Sequence, residues 1–290
     1  MEVLTNTEGF LIIAIYFVAI FSITLWLYKH DPLANTKLSF LVANREIKEW
    51  PAAFSFAASW IWAPAVFIAA EKAYTQGIAG SFWFTVPNIA CLIFFGHFAV
   101  WMRRKVPEGW TFSDYIRTNF SKRSHTLYLV ESFGLQVMSF GVQLLAGGAI
   151  LSALTGIDFW VITLLMAIVP LSYSYLKGIK ASVITDFWQM AWIAIVVLMG
   201  IPFIVTNAGV DTVIEGMRGM TGDIGLINNK GLEIALFFGV PTTITLFSGP
   251  FGDQMFWQRI FSIDKDVSVK RVMNKAAIIF GIVPVSLGIF

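Results

Sequence analysis

Eight apolar stretches divide this chain, and the basic residues between them fall almost entirely on one side. The stretches lie at about 10–28, 50–70, 82–102, 127–154, 157–176, 183–206, 232–257 and 276–290. If the acidic N-terminus, with Glu2 and Glu8, is outside, the connecting segments alternate. Of 20 Lys and Arg, all but Lys72, Arg218 and Lys230 then lie inside. This is the positive-inside asymmetry of a polytopic membrane protein. About 20 apolar residues cross a hydrocarbon core of roughly 30 Å as a helix. Nothing alternates with the period of a barrel strand, so an all-α membrane protein is expected.

Composition excludes other classes. The chain is 57% apolar and only 13% charged, whereas soluble domains carry about 25% charged residues. Its basic residues are spread over loops with no nucleic-acid footprint. The first run ends at Tyr28 and Lys29 without a small-residue cleavage site, which reads as a retained span. Cys91 stands alone in mid-span, a small apolar filler with no thiolate metal partner. No Gly-x-Ser-x-Gly, phosphate-binding glycine loop or His/Cys metal cluster is present, so the chain does not read as an enzyme.

The inside segments are 29–49, 103–125, 177–182 and 258–275; the outside ones are 71–81, 155–156 and 207–231. Trp26, Tyr28, Trp50, Trp101, Trp110, Trp160 and Trp257 cluster at span ends as interfacial anchors. The eighth run has only 15 residues, about 22 Å of helix, so the chain is expected to stop inside a span, as a fragment would.

Two spans are expected to break. Pro64 has no N–H, so the carbonyl of Trp60 loses its helical donor. Ala57, Ala58, Ser59 and Ala63 around it are small or carry a hydroxyl. In lipid such a carbonyl needs a partner; a monovalent cation fits, and so does a kink healed by Ser59 or water. Pro241, Gly249, Pro250 and Gly252 interrupt the seventh run. Gly/Pro interruptions in matching positions of two halves mark a transporter binding site. These two runs are five apart and cross in opposite directions.

Three motifs then carry a resemblance. Tyr175-Leu-Lys-Gly-Ile-Lys-Ala-Ser-Val-Ile-Thr-Asp-Phe-Trp-Gln189 resembles the Gly-x-x-Ala-x-x-x-Thr-Asp-x-x-Gln signature of the sodium:solute symporter family. Phe40-Leu-Val-Ala-Asn-Arg45 and Gly252-Asp-Gln-Met-Phe-Trp-Gln-Arg259 are similar to two further elements of that family. The resemblance implies a five-helix inverted-repeat transporter fold, incomplete here, with eight membrane segments in a single membrane domain over 1–290. Residues 1–47 would be an extra N-terminal helix and cytoplasmic loop, 48–207 the first repeat, 208–231 an extracellular loop, and 232–290 the first two helices of a second repeat.

By the same resemblance, the carbonyls of Ala58 and Ile61 would bind sodium as coupling ion, and Asp186 would help it leave. Asp186 also reads as a structural partner for Lys180 or Arg45. Trp60 stands where proline-type members carry Asp, and Asn44 replaces a Gly. Ser59, Trp60, Trp62, Gln143, Asp253 and Gln254 are the candidate solute contacts. Gln136 and Gln143 lie seven apart on one face of the fourth run, and each also reads as an interhelical hydrogen bond. Glu131, Asn88 and His97 are further polar residues at depth.

The expected function is sodium-coupled symport of a small organic solute across the cytoplasmic membrane by alternating access, with the N-terminus outside and the bilayer and the solute as partners. A membrane sensory module of the same fold, a channel, and an inactive fragment of a symporter are the alternatives. The solute and the oligomeric state are not legible.

Overall fold

The computed structural model describes residues 4–30, 36–222 and 225–289, without the side chains at 27, 28, 176 and 177. Glu2 of the acidic leader, the Tyr28 anchor and the terminal Phe290 therefore lie outside the described residues. What is described is helical apart from short connections and one isolated bridge. Thirteen α-helices follow in order: α1 Asn6–His30, α2 Lys37–Val42, α3 Glu49–Trp60, α4 Ala63–Lys105, α5 Phe112–Asn119, α6 Lys122–Thr155, α7 Phe159–Lys177, α8 Ile179–Ala208, α9 Val210–Gly216, α10 Asn229–Ile234, α11 Val240–Gly252, α12 Gln254–Ser262 and α13 Val269–Leu287. Five stretches are long and apolar enough to cross a membrane: Asn6–Trp26, Ala63–Lys105, Lys122–Thr155, Ile179–Ala208 and Asn229–Gly252. The apolar part of α7, Phe159–Tyr175, is shorter.

The expected spans at 50–70 and 82–102 form one interrupted rod. It breaks first at Ile61 and Trp62, between α3 and α4. It turns again at Gly77, where φ is +58° inside α4. The expected outside loop 71–81 is therefore helical apart from that residue. The seventh run breaks later than its prolines suggest. Pro250 lies within α11. Pro241 sits in the first turn of α11, after a π-turn at Ala235–Gly239. The helix runs on through that π-turn, where Val240 N–H reaches back five residues to the Ala235 carbonyl, and the missing Pro241 N–H falls at this change of spacing. The chain leaves the helix only at Asp253. The eighth run also differs: α13 starts at Val269 and has 19 residues, about 28 Å of helix.

The core lies where α13 packs on α3 and α4 and where α12 tucks beneath them. Phe56, Phe95, Phe256, Trp257 and Phe261 are almost wholly buried there. Trp257 meets Phe95 edge-on at 5.0 Å and stacks on Phe112 at 4.7 Å. Its indole N–H donates to the Phe251 carbonyl at 2.9 Å. So Trp257, expected as an interfacial anchor, is a core residue with its one donor satisfied. Outer faces are apolar instead: Val130, Phe133 and Val137 on α6, and Trp192, Leu198 and Met199 on α8, are all exposed. Such faces suit a lipid solvent.

Segments assigned to one side by charge meet in space. At one end Arg45 donates to the carbonyls of Pro107 and Gly109. Arg103 donates to the Ile263 carbonyl, and Lys48 pairs with Asp264. Ile47 and Ile263 form a parallel bridge: Ile47 N–H donates to the Ser262 carbonyl at 3.2 Å, and Asp264 N–H to the Ile47 carbonyl at 2.9 Å. Glu49 adds pairs to Lys275 and Arg271, and Lys275 lies over the Trp50 ring. At the other end of α4, Ile78 N–H donates to the Met217 carbonyl and Met220 N–H to the Tyr74 carbonyl, each at 2.9 Å. Residues 217–220 are thus tied down on the Gly77 turn.

Candidate functional site

The first break reroutes the donors that would have continued α3. Ala63 N–H, due to the Ser59 carbonyl, donates instead to Gln143 Oε1 at 2.8 Å. Pro64 has no N–H for the Trp60 carbonyl. Ala65 N–H, due to Ile61, donates to the Trp62 carbonyl at 2.9 Å. The carbonyls of Ser59, Trp60 and Ile61 all lose their helical donors. Ala58, a candidate ion ligand, differs: its carbonyl accepts Ile61 N–H at 3.1 Å. It keeps one lone pair, since a carbonyl oxygen has two.

Side chains then fix the geometry. Ser59 Oγ donates to the Ser55 carbonyl at 2.8 Å. Trp60 Nε1 donates to Asn88 Oδ1 at 2.7 Å, and its ring meets Phe256 edge-on at 5.2 Å. Trp62 is exposed. Asn88 is buried and gives its amide N–H to the Phe84 carbonyl at 2.6 Å. His97 faces outward, bonded only along its own helix to Ile93.

Helix α6 reaches both breaks with one face. Gln143 caps the first, as above. Gln136 Nε2 donates to Asp253 Oδ1 at 2.9 Å at the second. The same oxygen accepts Met255 N–H at 2.8 Å, capping α12. Gln254 Oε1 accepts Phe112 N–H at 3.1 Å, while its Nε2 is buried without a partner. Glu131 lies alongside: a Cβ on Gly252 would stand 3.4 Å from its carboxylate oxygen.

Asp186 sits in a third, separate group with Arg259, which the sequence reading left without a role. Arg259 is 6% exposed, on α12. Its Nη2 meets Asp186 Oδ2 and Ser182 Oγ, each at 3.0 Å. Its Nε donates to Ser55 Oγ at 2.9 Å, and Ser55 Oγ donates to Asp186 Oδ2 at 2.6 Å. Asp186 thus has an ion-pair partner, Arg259, that the sequence did not suggest, while Arg45, one of the two it did suggest, pairs with Glu108. A signal was available: a carboxylate within a span needs a counter-charge, and Arg259 closes the quoted Asp-Gln element.

So Ser59, Trp60, Ile61, Gln143 and Asn88 meet at the first break, and Gln136, Asp253 and Gln254 at the second. An open groove of about 520 Å³ lies elsewhere, against Phe40, Ile168, Leu171, Ser172, Ser174 and Tyr175, and touches none of these residues, while a small apolar pocket reaches Ile61 beside Ala65, Phe84 and Phe280.

The profile of the sodium:solute symporter family matches residues 40–290. Three relatives illustrate the range. A probable urea active transporter 1 of Schizosaccharomyces pombe is 26% identical over 200 residues, 68% of this chain and 30% of the relative. A urea-proton symporter of Oryza sativa subsp. japonica is 25% identical over 64% of this chain and 26% of the relative. A high-affinity choline transporter 1 of Drosophila melanogaster is 24% identical over 98% of this chain and 45% of the relative. The chain spans less than half the length of these relatives.

Proposed function

Because this chain belongs to the sodium:solute symporter family, whose relatives here are transporters and not enzymes, we propose that it carries out sodium-coupled uptake of a small organic solute across the cytoplasmic membrane. The carrying observation is the break between α3 and α4, which frees the carbonyls of Ser59, Trp60 and Ile61. A hard monovalent cation suits such oxygens. Ile61 and the second lone pair of Ala58 are the proposed sodium ligands, with Asp186 on the release path. Ser59, Trp60, Trp62, Gln143, Asp253 and Gln254 shape the solute pocket between the two breaks.

The proposed architecture is an inverted five-helix repeat, with 48–207 as the first repeat, 232–290 opening the second, and the N-terminus outside. Transport follows by alternating access as one repeat rocks against the other. One sodium crossing about 100 mV supplies about 2.3 kcal/mol, roughly a fifty-fold solute ratio before any concentration term. Proton coupling is the second reading, favoured by the urea-proton relative.

The test is uptake into proteoliposomes holding the protein, with radiolabelled urea first and choline second. An inward sodium gradient at equal pH should drive accumulation, and a pH gradient without sodium should not. Accumulation driven by the pH gradient alone would replace sodium with the proton.

A further inference from the structure

We propose that Arg259 is the internal counter-cation of the release path: it holds Asp186 until the coupling ion displaces it, and its displacement opens the cytoplasmic end. This rests on the sodium reading above and assigns a role to a residue that reading does not use.

Arg259 belongs to the short helix after the second break, while its partners belong to the first half of the chain: Ser55 on α3, Ser182 and Asp186 on α8. One guanidinium therefore ties the two halves together. Asp186 is 13% exposed at its side chain and Arg259 7%. A buried charge left alone is strongly disfavoured, so neither partner leaves unless another charge takes its place. A cation arriving at Asp186 meets that condition for the carboxylate, and the guanidinium, left without its counter-charge, must then move out towards water at the cytoplasmic end.

The approach is laid out along α3. Ser59 stands at the first break, and Ser55 is four residues earlier, one turn away on the same face. Ser59 Oγ touches the Ser55 carbonyl, and Ser55 Oγ touches Asp186. A cation stepping from the break past Ser59 and Ser55 arrives at the Asp186 oxygen that Arg259 occupies. Beyond Arg259, α12 ends at Ser262, whose carbonyl holds Ile47 and whose hydroxyl donates to the Arg259 carbonyl at 2.7 Å. Releasing the guanidinium loosens the helix that carries this closing bridge.

The experiment uses inside-out membrane vesicles containing the full chain with Cys91→Ala and a reporter at Ser262→Cys, a position 1% exposed. The readout is the rate of labelling by a membrane-impermeant methanethiosulfonate. Sodium should quicken labelling severalfold. Arg259→Gln should quicken it at least fivefold without sodium and abolish the further effect of sodium. Asp186→Asn, which removes the guanidinium's counter-charge but leaves the residue in place, should do the same; Arg259→Lys should stay within twofold of the parent. If Arg259→Gln and Asp186→Asn both extract as well-folded protein yet label as slowly as the parent, the latch is overturned. If both quicken labelling while sodium leaves the parent unchanged, displacement by sodium is overturned, and the gradient-driven uptake described above then decides separately whether sodium is the coupling ion.

Discussion

The indole Nε1 of Trp60 donates to Asn88 Oδ1 at 2.7 Å across the first break. The last residue of α3 is thereby fastened to the middle of α4, and the ring closes edge-on over Phe256. Proline-type members of the family carry Asp at the Trp60 position. An indole cannot ligate a cation as a carboxylate does, and here its polar atom is engaged by Asn88.

Removing either partner strands the other. Trp60→Phe keeps the ring against Phe256 but orphans the buried Asn88 oxygen, at about 1–3 kcal/mol. Asn88→Leu should cost a similar amount. The double variant should lose much less than the sum, as a double-mutant cycle on thermal unfolding in detergent would record. Additive losses would mean that the two residues act independently.

Pro64→Ala restores an N–H that can return to the Trp60 carbonyl. The half-saturating sodium concentration for uptake should rise at least tenfold, about 1.4 kcal/mol, with little loss of thermal stability. An unchanged sodium dependence would detach the ion from this break.

Gly77 and Gly219 have φ of +58° and +59° and pack against each other. A Cβ on Gly77 would come within 2.5 Å of the Met217 carbonyl oxygen, and one on Gly219 within 2.4 Å of the Gly77 nitrogen. Backbone must shift to admit either, on top of left-handed strain of about 1–3 kcal/mol. Gly77→Ala and Gly219→Ala should each lower thermal stability and expose residues 207–222 to protease. Protease resistance equal to the parent's would argue against this docking.

The Lys48–Asp264 pair sets a pH expectation for the opposite end. The Lys48 hydrogen bond, first, and then the Asp266 amide hold the Asp264 carboxyl below its ordinary value. Asp264 holds the Lys48 ammonium above its own. The Asp264 contribution is complete above about pH 3.9 and fades as pH falls through its lowered folded value. The Lys48 contribution is complete below about pH 10.4 and fades as pH rises through its raised one. The effect of Lys48→Met on Ser262→Cys labelling should therefore be the same at about pH 5.5 and about pH 8.5. A change between them would point to a titrating group other than this pair.

Much of this arrangement is legible in the sequence where one residue's covalent chemistry decides the matter. Pro64 lacks a donor in any fold, and the Gln136 and Gln143 spacing places both on one helix face. Partners were harder to read. The amide that Gln143 caps and the carboxylate that Gln136 holds are 190 residues apart in the chain, at Ala63 and Asp253. Pro241 misleads because a π-turn just upstream changes the hydrogen-bond spacing where its N–H is missing, and Pro250 because Cys91 Sγ donates to the Leu246 carbonyl that its missing N–H leaves open. Trp257 looked like a headgroup anchor because its burial depends on α12 folding back under α3, which no local pattern encodes.

The bridge between Ile47 and Ile263 is built from main-chain atoms, and both side chains beside it are buried in the core. It therefore depends on chain length as well as on apolar character. Inserting or deleting one residue between α12 and Asp264 would put the paired amides out of step, while exchanges among apolar residues of similar size at Ile47 and Ile263 would be tolerated. Related chains should therefore vary among apolar residues at these two positions yet be held closely to their spacing.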